Sequence, residues 1–394
     1  MKLLWVKTDF LHPTTRGGQI RTLEIVKRLH RRNEVHYVAF DDPAQPEGLR
    51  RAGEYSTRAY PIAHSAPSKK SLKFVGQLAG GLVSSLPVAI SRWKSETMRS
   101  TLEEICGREK FDAMVCDFLA PAPNCPALEG CILFQHNVET MIWRRHVEHA
   151  ADPLRRAYLK MQAARMEAYE REVCRKVKRV IAVSDADAKM MQQMFGIGEV
   201  PVAATGVDTD YFEPHAQTAF TYDLVFVGSM DWLPNTDGMK FFTSSILPLI
   251  RRSLPDCSVA IVGRTPGPEI LNMATVDRKI TVTGTVADVR PYLWSSKVSI
   301  VPLRIGGGTR LKIYEAMAAG CPVVSTTIGA EGLSVSHPQE IRLADTPEQF
   351  AQECVRLLQA EAERNCLAET AYRLVRERFS WDMMAAEFEA MLRS

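Results

Sequence analysis

Short apolar runs alternate with amphipathic stretches from the first residues of the chain onward. KLLWV at 2–6 is typical of a parallel strand that is buried on both faces, and EVHYVAF at 34–40 predicts a second strand. Between them, apolar residues at helical spacing form one stripe, made of Ile20, Leu23, Ile25, Val26 and Leu29. Strand, helix and strand in this order predict a βαβ unit.

The same alternation continues and then restarts once. Further strands of the first series are predicted at 111–117, 131–137 and 179–185, and a long charged helical stretch at 139–178. The second series predicts strands in YDLVFVGS, CSVAIVGR, KITVTGTV, KVSIVPL and CPVVSTT. Helical patterns fill the gaps and the end of the chain, at 238–253, 289–295, 309–319, 346–378 and 381–392. Two α/β series predict two doubly wound, Rossmann-like domains, and the aperiodic stretch 204–220 is the best candidate for their linker.

Composition narrows the class of protein. A chain of 394 residues is too long for one ordinary core, and 46% hydrophobic with 24% charged residues is typical of soluble proteins. A net charge of +3 does not indicate a nucleic-acid partner. Nine cysteines without a C-x-x-C pair argue against a zinc site and fit a reducing cytosol. No secretory signal opens the chain, so we expect a cytoplasmic protein.

One segment, 69–94, raises the question of a membrane. Its apolar part, 74–90, is interrupted by glycines and Pro87 and is flanked on both sides by lysine and arginine. That is short and broken for a membrane-spanning helix. Two interpretations stay open. The segment is either a pair of surface helices with an apolar face on the core, or an interfacial patch that makes a peripheral contact with the inner face of the membrane.

Each series contains a glycine-rich junction between a strand and a helix. Gly17 and Gly18 precede the first helix, and Gly306, Gly307 and Gly308 precede a helix in the second series. Such junctions direct free backbone N–H groups and the positive end of a helix at one point, which attracts phosphate. Neither is a Walker A loop or a G-x-G-x-x-G motif, so a nicotinamide cofactor is not indicated. A plain tight turn is the alternative for each junction alone.

The helix after the second junction carries three side chains of interest. Arg310 and Lys312 lie in its predicted first turn, where cations oppose the helix dipole, so we expect an anion to offset them. Glu315 follows one turn later among apolar neighbours and could accept hydrogen bonds from a ribose diol; a surface glutamate is the alternative. Asp117 ends a predicted strand and is a candidate to contact an acceptor hydroxyl.

The chain closely resembles the nucleotide-sugar glycosyltransferases of the GT-B fold, in particular the retaining group called family 4. The strongest stretch is SIVPLRIGGGTRLKIYEAMAAGCPVVSTTIGAEGL at 299–333, and EAMAAGCPVV is highly specific. TTRGGQIR, QHN, VIAVSD, ATGVDTDYF, FVGSMDWLPNTDG and FSW add support along almost the whole chain. The resemblance implies two domains around a central cleft: an acceptor domain at 1–204, completed by a returning helix at 381–394, and a donor domain at 205–378.

The resemblance also implies roles for individual residues. Glu315 matches the glutamate that holds the donor ribose, and Gly17 with Gly18 matches the loop beneath the donor phosphates. His136 matches a histidine near the donor sugar, although a structural histidine is the alternative. Val286 matches the place where backbone groups meet the nucleobase. Donor contacts are also expected at the second junction and at the strand that opens the second domain, through Gly228, Gly306, Gly307, Gly308 and Thr309. The family needs no metal.

This sequence departs from the family pattern at two places. Gly307 stands where members usually carry a glutamate that contacts the donor sugar. Many members also follow the first strand of the second domain with an arginine and then a lysine that grip the diphosphate, and FVGSMDWLPNTDG has neither. We hypothesise that Arg310 and Lys312, with Arg304, supply this positive charge from the other loop.

These features predict a retaining, metal-independent glycosyltransferase. It would need no cofactor and would move a sugar from a nucleoside diphosphate to a hydroxyl of a saccharide or lipid-linked acceptor, in polysaccharide or glycoconjugate synthesis. Two rivals stay open. One is an epimerase of sugar nucleotides with the same fold, and the other is a non-catalytic sugar-nucleotide-binding assembly protein, supported by the missing glutamate and the missing cation pair.

Overall fold

The structure is a computed structural model that describes residues 1–14, 17–63, 85–148, 150, 152–215, 220–305 and 311–393. These residues form two compact units. Unit 1 contains Met1–Ala204 with Met384–Ser394, and unit 2 contains Thr205–Met383. The last helix, Trp381–Arg393, begins in unit 2 and ends in unit 1.

Unit 1 is built on a six-stranded parallel sheet in the order β3-β2-β1-β4-β5-β6. Its strands are β1 Lys2–Val6, β2 Glu34–Asp41, β3 Arg58–Ala63, β4 Ala113–Asp117, β5 Cys131–Phe134 and β6 Arg179–Ile181. The central strand β1 is apolar at nearly every position because both of its faces are covered: Leu3, Leu4, Trp5 and Val6 have no exposed surface.

The helices of unit 1 lie between these strands. They are α1 Gly17–His30, α2 Glu47–Arg50, α3 Val88–Ser91, α4 Glu96–Arg108, α5 Glu139–Glu148, α6 Pro153–Lys176 and α7 Asp185–Phe195. The charged stretch 139–178 is therefore two helices and not one. Asp152 caps α6 by accepting a hydrogen bond from the backbone N–H of Arg155, and Pro153 fits the first helical position because it has no N–H to lose.

Unit 2 repeats the same plan. Its parallel sheet has the order β12-β11-β10-β7-β8-β9. The strands are β7 Tyr222–Val227, β8 Val259–Val262, β9 Ile280–Val282, β10 Ser296–Val301, β11 Val323–Ser325 and β12 Arg342–Leu343. The strand order reverses direction between β7 and β10 here, and between β1 and β4 in unit 1. Ligands of open α/β sheets bind at such reversals, outside the carboxyl ends of the strands.

The helices of unit 2 are α8 Leu233–Phe241, α9 Leu247–Ser253, α10 Pro268–Val276, α11 Arg290–Trp294, α12 Leu311–Ala318, α13 Pro347–Gln359, α14 Glu361–Arg378 and α15 Trp381–Arg393. A π-helical turn, Phe242–Ile246, joins α8 to α9. The two parallel, doubly wound sheets confirm the predicted fold class. Within the described ranges, no helix is long and apolar enough to cross a membrane.

Two predicted features lie outside the described residues. One is the second glycine junction with the two residues after it, which contains Gly306, Gly307, Gly308, Thr309 and Arg310. The larger part of the segment 69–94 is the other. Its described end contains the short helix α3, whose Ile90 is buried in the core of unit 1.

Candidate functional site

A buried carboxylate lies at the carboxyl end of β4 in unit 1. Asp117 has no exposed surface, and its Oδ2 accepts hydrogen bonds from Trp5 Nε1 at 2.9 Å and Thr22 Oγ1 at 2.7 Å. The ammonium of Lys7 lies 3.1 Å from the same oxygen. Burial alone would raise the pKa of Asp117, but the charge of Lys7 and the interactions with His136 and Thr22 hold it well below its ordinary value. Asp117 is therefore ionised at neutral pH.

His136 follows β5 and contacts the other oxygen of this carboxylate, with Nε2 2.8 Å from Asp117 Oδ1. Burial is the largest influence on the imidazole and lowers its pKa to about 4, although Asp117 acts in the opposite direction. The ring is thus neutral at pH 7. Because Asp117 is ionised and can only accept, the proton of His136 belongs on Nε2 and Nδ1 keeps a lone pair. Nδ1 faces Nη1 of Arg21 at 3.4 Å.

An aromatic ring fixes His136 from one side. Phe118 stacks on the imidazole with ring centroids 3.9 Å apart and an interplanar angle of 5°. Its backbone has φ 71, a conformation that residues other than glycine rarely adopt, and the Lys7 ammonium lies 4.2 Å from its ring centroid. Gly18 packs on this stack so closely that an added Cβ would lie 2.6 Å from Phe118 Cζ. The first glycine junction therefore packs through Gly18 on Phe118, the ring that stacks on His136.

A second buried carboxylate supports the strand end that carries His136. Glu170 on α6 accepts hydrogen bonds from Gln135 Nε2 at 2.8 Å and from the backbone N–H groups of Glu139 and Thr140 at 2.9 and 2.8 Å. It thereby satisfies the free donors at the start of α5 and pins the residue before His136. Glu170 is hard to single out from the sequence, because it lies within a helix rich in exposed charges.

In unit 2, Lys312 on α12 reaches the carboxyl end of β7. Its ammonium donates to Asn235 Oδ1 at 2.8 Å and lies 4.3 Å from the ring centroid of Phe226. A Cβ at Gly228 would lie 2.6 Å from that ammonium and 2.8 Å from Asn235 Nδ2. A side chain at position 228 would not fit, because the Lys312 ammonium and the Asn235 amide occupy the space beside the backbone of Gly228.

An arginine that the sequence analysis did not select lies at the same strand end. Arg264 follows β8 and is exposed; it donates from Nε to Ser229 Oγ at 2.6 Å, and its Nη2 lies 3.6 Å from Asp231 Oδ2 in an exposed ion pair. The ends of β7 and β8 lie so close together that a Cβ at Gly263 would be 1.8 Å from the carbonyl oxygen of Gly228. The neighbouring strand thus provides a guanidinium beside Ser229, in the turn after β7. In the sequence, this arginine could have been found from the VGR that ends the predicted strand CSVAIVGR.

Glu315 lies one turn after Lys312 on α12 and is partly buried. Burial raises the pKa of Glu315 to about 7, and the positive charge of Lys312 lowers it only in part. Among the residues that the structure describes, its carboxylate has no hydrogen-bond partner. A carboxylate held in this way has capacity to accept hydrogen bonds from a ligand.

The remaining predicted residues that the structure describes are Arg304, Val286 and Gly17. Arg304 forms a two-point ion pair with Asp237, with distances of 2.6 and 3.1 Å, so its charge is compensated within unit 2. Val286 is partly exposed, two residues after Gly284, which has a positive φ of 68. Gly17 is exposed at the first residue of α1.

The structure thus brings the predicted residues together in two groups. One group in unit 1 contains Gly18, Asp117 and His136, and one in unit 2 contains Gly228, Lys312 and Glu315. The geometry does not support the acceptor contact predicted for Asp117, because its carboxylate has no exposed surface and both oxygens already accept hydrogen bonds. Asp117 positions His136 instead.

A group of possible metal ligands lies at the opposite, amino end of the unit 1 sheet. Glu34, His36 and Glu109 bring their ligand atoms within 4.8 Å of one another. The Lys2 ammonium forms ion pairs with both glutamates there, and Tyr60 hydroxyl is 3.0 Å from His36 Nδ1. A cation already occupies the centre of this cluster, so its charge is balanced by the protein itself.

Family models match two consecutive parts of the chain. Residues 15–211, half of the chain, match the family model described as Glycosyltransferase Family 4. Residues 221–360 match the model described as Glycosyl transferases group 1. A lipopolysaccharide core biosynthesis mannosyltransferase, LpsB of Rhizobium meliloti (strain 1021), is 26% identical over 292 residues, which cover 64% of this chain and 80% of the relative.

Solved structures are similar along the whole chain. Sucrose-phosphate synthase from Thermosynechococcus elongatus superposes with a TM-score of 0.72 at 14% identity, covering 100% of this chain and 98% of that one. HepE of Anabaena in complex with UDP-glucose gives a TM-score of 0.66 at 14% identity, covering 100% and 99%. These similarities show the GT-B fold with its two Rossmann-like domains.

Proposed function

The chain belongs to Glycosyltransferase Family 4, and on that premise we propose that it transfers a sugar from a nucleoside diphosphate to an acceptor hydroxyl with retention of configuration. One observation carries the proposal most directly. Lys312 and Glu315 lie on one turn of α12, where an ammonium and an unpartnered carboxylate stand at the reversal point of the unit 2 sheet. A nucleoside diphosphate needs this combination, because its phosphates are anionic and its ribose diol donates hydrogen bonds.

The missing cation pair of the family has two substitutes in this proposal. Lys312 reaches Asn235 and Gly228 from α12, and Arg264 reaches Ser229 from β8. Both therefore bring positive charge to the turn after β7, where the family pattern would place it. Arg310, which precedes α12, adds a third cation by its sequence position. Together they would neutralise the leaving diphosphate in place of a metal ion.

The unit 1 group would act on the sugar. Neutral His136 is held by Asp117 through Nε2 and by the Phe118 ring on one face, and its Nδ1 faces Arg21. A donor-sugar hydroxyl would take the place of Arg21 as the donor to the Nδ1 lone pair. Gly18 lies in the first turn of α1, so its N–H belongs to the free donors at a helix start and could bind phosphate oxygen.

Retention follows in this proposal from a front-face displacement without a protein nucleophile. The acceptor oxygen attacks the anomeric carbon on the side from which the diphosphate leaves. The departing phosphate oxygen takes the acceptor proton, so the bond to phosphate breaks as the new glycosidic bond forms. The protein contributes charge stabilisation and alignment, which together supply the main part of such a rate enhancement.

The relatives suggest the biological setting. LpsB is described as a mannosyltransferase of lipopolysaccharide core biosynthesis, and HepE has been solved with UDP-glucose. For the present chain we propose a nucleoside diphosphate hexose as the donor and a saccharide or lipid-linked molecule as the acceptor, in polysaccharide or glycoconjugate synthesis. The proposed location is the cytoplasm, with peripheral contact at the inner face of the membrane through 69–94. Flotation with anionic liposomes tests that contact, and absence of binding at low salt removes it.

Variants at Lys312 test the proposal. Lys312→Ala should lower kcat with UDP-, GDP- or dTDP-hexose on the order of 10²–10³-fold, and Lys312→Arg should restore part of it, because the positive charge returns. Arg310→Ala, made separately, should also lower kcat. Lys279→Ala is the matched control, since Lys279 is an exposed lysine of unit 2 paired with Asp256. Unchanged kcat in Lys312→Ala would contradict the assignment.

The same assays separate the rival functions. A non-catalytic binding protein would bind a sugar nucleotide, seen as a raised melting temperature, without releasing nucleoside diphosphate for any acceptor. An epimerase would convert one sugar nucleotide into another with no acceptor present. Release of nucleoside diphosphate together with formation of a new glycoside is the result that the transferase requires.

A further inference from the structure

A cavity of about 970 Å³ lies within unit 1, beside the group of residues that contains His136. It is lined by residues that follow or end the strands β1, β2 and β3, among them Asp9, Asp41 and Ala63. Helix α1 connects the two places: Gly18 packs on Phe118, and the next residue, Gln19, lines the cavity. None of the residues assigned above to the donor lines it.

The wall of the cavity is apolar on one part and rich in hydrogen-bonding groups on another. Phe40 and Trp93 stack with ring centroids 5.7 Å apart at 22°, and Phe10 adds a third aromatic ring. Acidic, amide and hydroxyl side chains complete the lining. Small-molecule sites combine aromatic walls with a few placed polar groups in this way. A sugar ring, which has C–H surfaces between its hydroxyls, matches such a lining.

Among the described residues of the lining, the charge is negative. Three carboxylates, those of Asp9, Asp41 and Asp42, face the cavity, against one arginine, Arg92, which is exposed. His12 also lines it, but burial lowers the pKa of this imidazole, so it adds no charge at neutral pH. Like charges brought together are penalised, so a ligand that carries phosphate or carboxylate is disfavoured here.

One of the three carboxylates is available to a ligand. Asp9 accepts from Gln19 Nε2 at 2.7 Å, and Asp42 accepts from Ala44 N–H and Gln45 Nε2 of its own turn at 3.0 and 2.9 Å. Asp41 ends β2 and is partly buried, and its carboxylate forms no hydrogen bond or ion pair with any residue in the described part of the chain. Its carboxylate can accept two hydroxyl donors or bind an ammonium group.

We propose that this cavity binds the terminal sugar of the acceptor, and that Asp41 selects a neutral or amino sugar over an acidic one. The inference rests on the proposed function, because it names the class of acceptor for the transfer described above. A free hydroxyl of this terminal sugar would be the nucleophile. Asp41 is a specificity-determining residue in this proposal and takes no proton from the reacting hydroxyl.

Binding of simple glycosides tests the proposal. The probes are methyl glucoside, methyl 2-amino-2-deoxyglucoside and methyl glucuronide, measured by saturation-transfer NMR on the full chain with a nucleoside diphosphate present. We expect the amino sugar to bind at least as well as the neutral one, and the glucuronide about tenfold more weakly or not at all. Asp41→Asn should weaken the amino sugar about tenfold and reduce the discrimination against the glucuronide.

Two further variants locate the effect. Ala44→Trp places a large ring at the exposed rim of the cavity and should abolish glycoside binding, while Asp256→Asn removes an exposed carboxylate of unit 2 and should change nothing. Equal binding of all three glycosides, unaltered by Asp41→Asn, would overturn the proposal, as would binding that survives Ala44→Trp.

The melting temperature of each variant with UDP, GDP and dTDP is measured in the same samples. If a nucleotide stabilises the protein but the glycosides fail, the inference about Asp41 is wrong and the proposed function stands. If no nucleotide binds to the wild type, the proposed function fails, whatever the glycosides do.

Discussion

Replacing Gly18 with alanine perturbs the contact between α1 and the residues that hold His136. The new Cβ would lie 2.6 Å from Phe118 Cζ, whereas carbon atoms in good contact are about 3.5–4.0 Å apart, so the ring must move by about 1 Å. Phe118 cannot yield freely, because its face is stacked on His136 at 3.9 Å and its backbone is held at φ 71. The displacement should therefore reach the imidazole.

The magnitudes differ for stability and for activity. Overpacking costs about 1–3 kcal/mol, while alanine in a helix gains about 0.5–1 kcal/mol over glycine, so Gly18→Ala should lose about 1 kcal/mol of unfolding free energy. A displacement near 1 Å in a reacting group can cost on the order of 10²-fold in rate, so we expect kcat to fall about 10- to 100-fold. Urea titration and steady-state release of nucleoside diphosphate measure the two effects.

Controls separate this contact from a general effect of glycine replacement. Gly107→Ala in α4 meets nothing within 4 Å of the new Cβ, so it should leave kcat unchanged and slightly raise stability. Adding Phe118→Leu to Gly18→Ala removes the ring atom in the way and should recover stability non-additively. If Gly18→Ala matches the wild type in kcat, the packing of the first glycine junction does not position His136.

Four other changes have expected outcomes. The pKa of His136 is about 4 in the folded protein and 6.5 ordinarily, so the unfolded chain binds this proton at a higher pH than the folded one. In urea titrations, the stability of the wild type should therefore fall faster than that of His136→Gln as the pH drops from about 6.5 toward 4. Parallel curves for the two proteins would contradict the assignment. Because the pKa of Glu315 is raised to about 7, nucleoside diphosphate affinity measured by calorimetry should rise with pH through that value and lose the rise in Glu315→Gln; the same slope in both proteins would mean another group is responsible. Arg264→Ala should lower kcat on the order of 10²-fold with little change in melting temperature, since Arg264 is exposed, and full activity would remove it from the diphosphate site. Asp117→Asn leaves the Lys7 ammonium buried without its carboxylate and should cost about 3–5 kcal/mol in chemical denaturation, where a loss below about 1 kcal/mol would refute the buried pair.

The fold was predictable from periodicity because both sheets are parallel and buried on both faces. Strands such as β1 and β8 are then continuous apolar runs, and the helices between them carry clear stripes. Helix breaks were harder to predict. The stretch 139–178 has no change in apolar spacing where α5 ends and α6 begins, and only the Asp152-Pro153 pair indicates the break.

The site was only partly predictable, for a different reason. Glu315 and Lys312 lie eight residues or fewer from the glycine junction, so a local motif reveals them. Lys7 contacts Asp117 at the end of β4, and Arg264 contacts Ser229 in the turn after β7, so both partners are far away along the chain. Those contacts depend on which strands are neighbours in the sheet, and a single sequence does not state that order.

The central claim is retaining transfer, and the configuration of the product tests it most directly. The protein is incubated with a nucleoside diphosphate sugar of α configuration and an acceptor glycoside, and proton NMR follows the anomeric signals from the first turnovers. The account predicts that the first new glycoside is α, formed together with one equivalent of nucleoside diphosphate. A β glycoside, or nucleoside diphosphate release with no new glycoside for any acceptor tested, would contradict it.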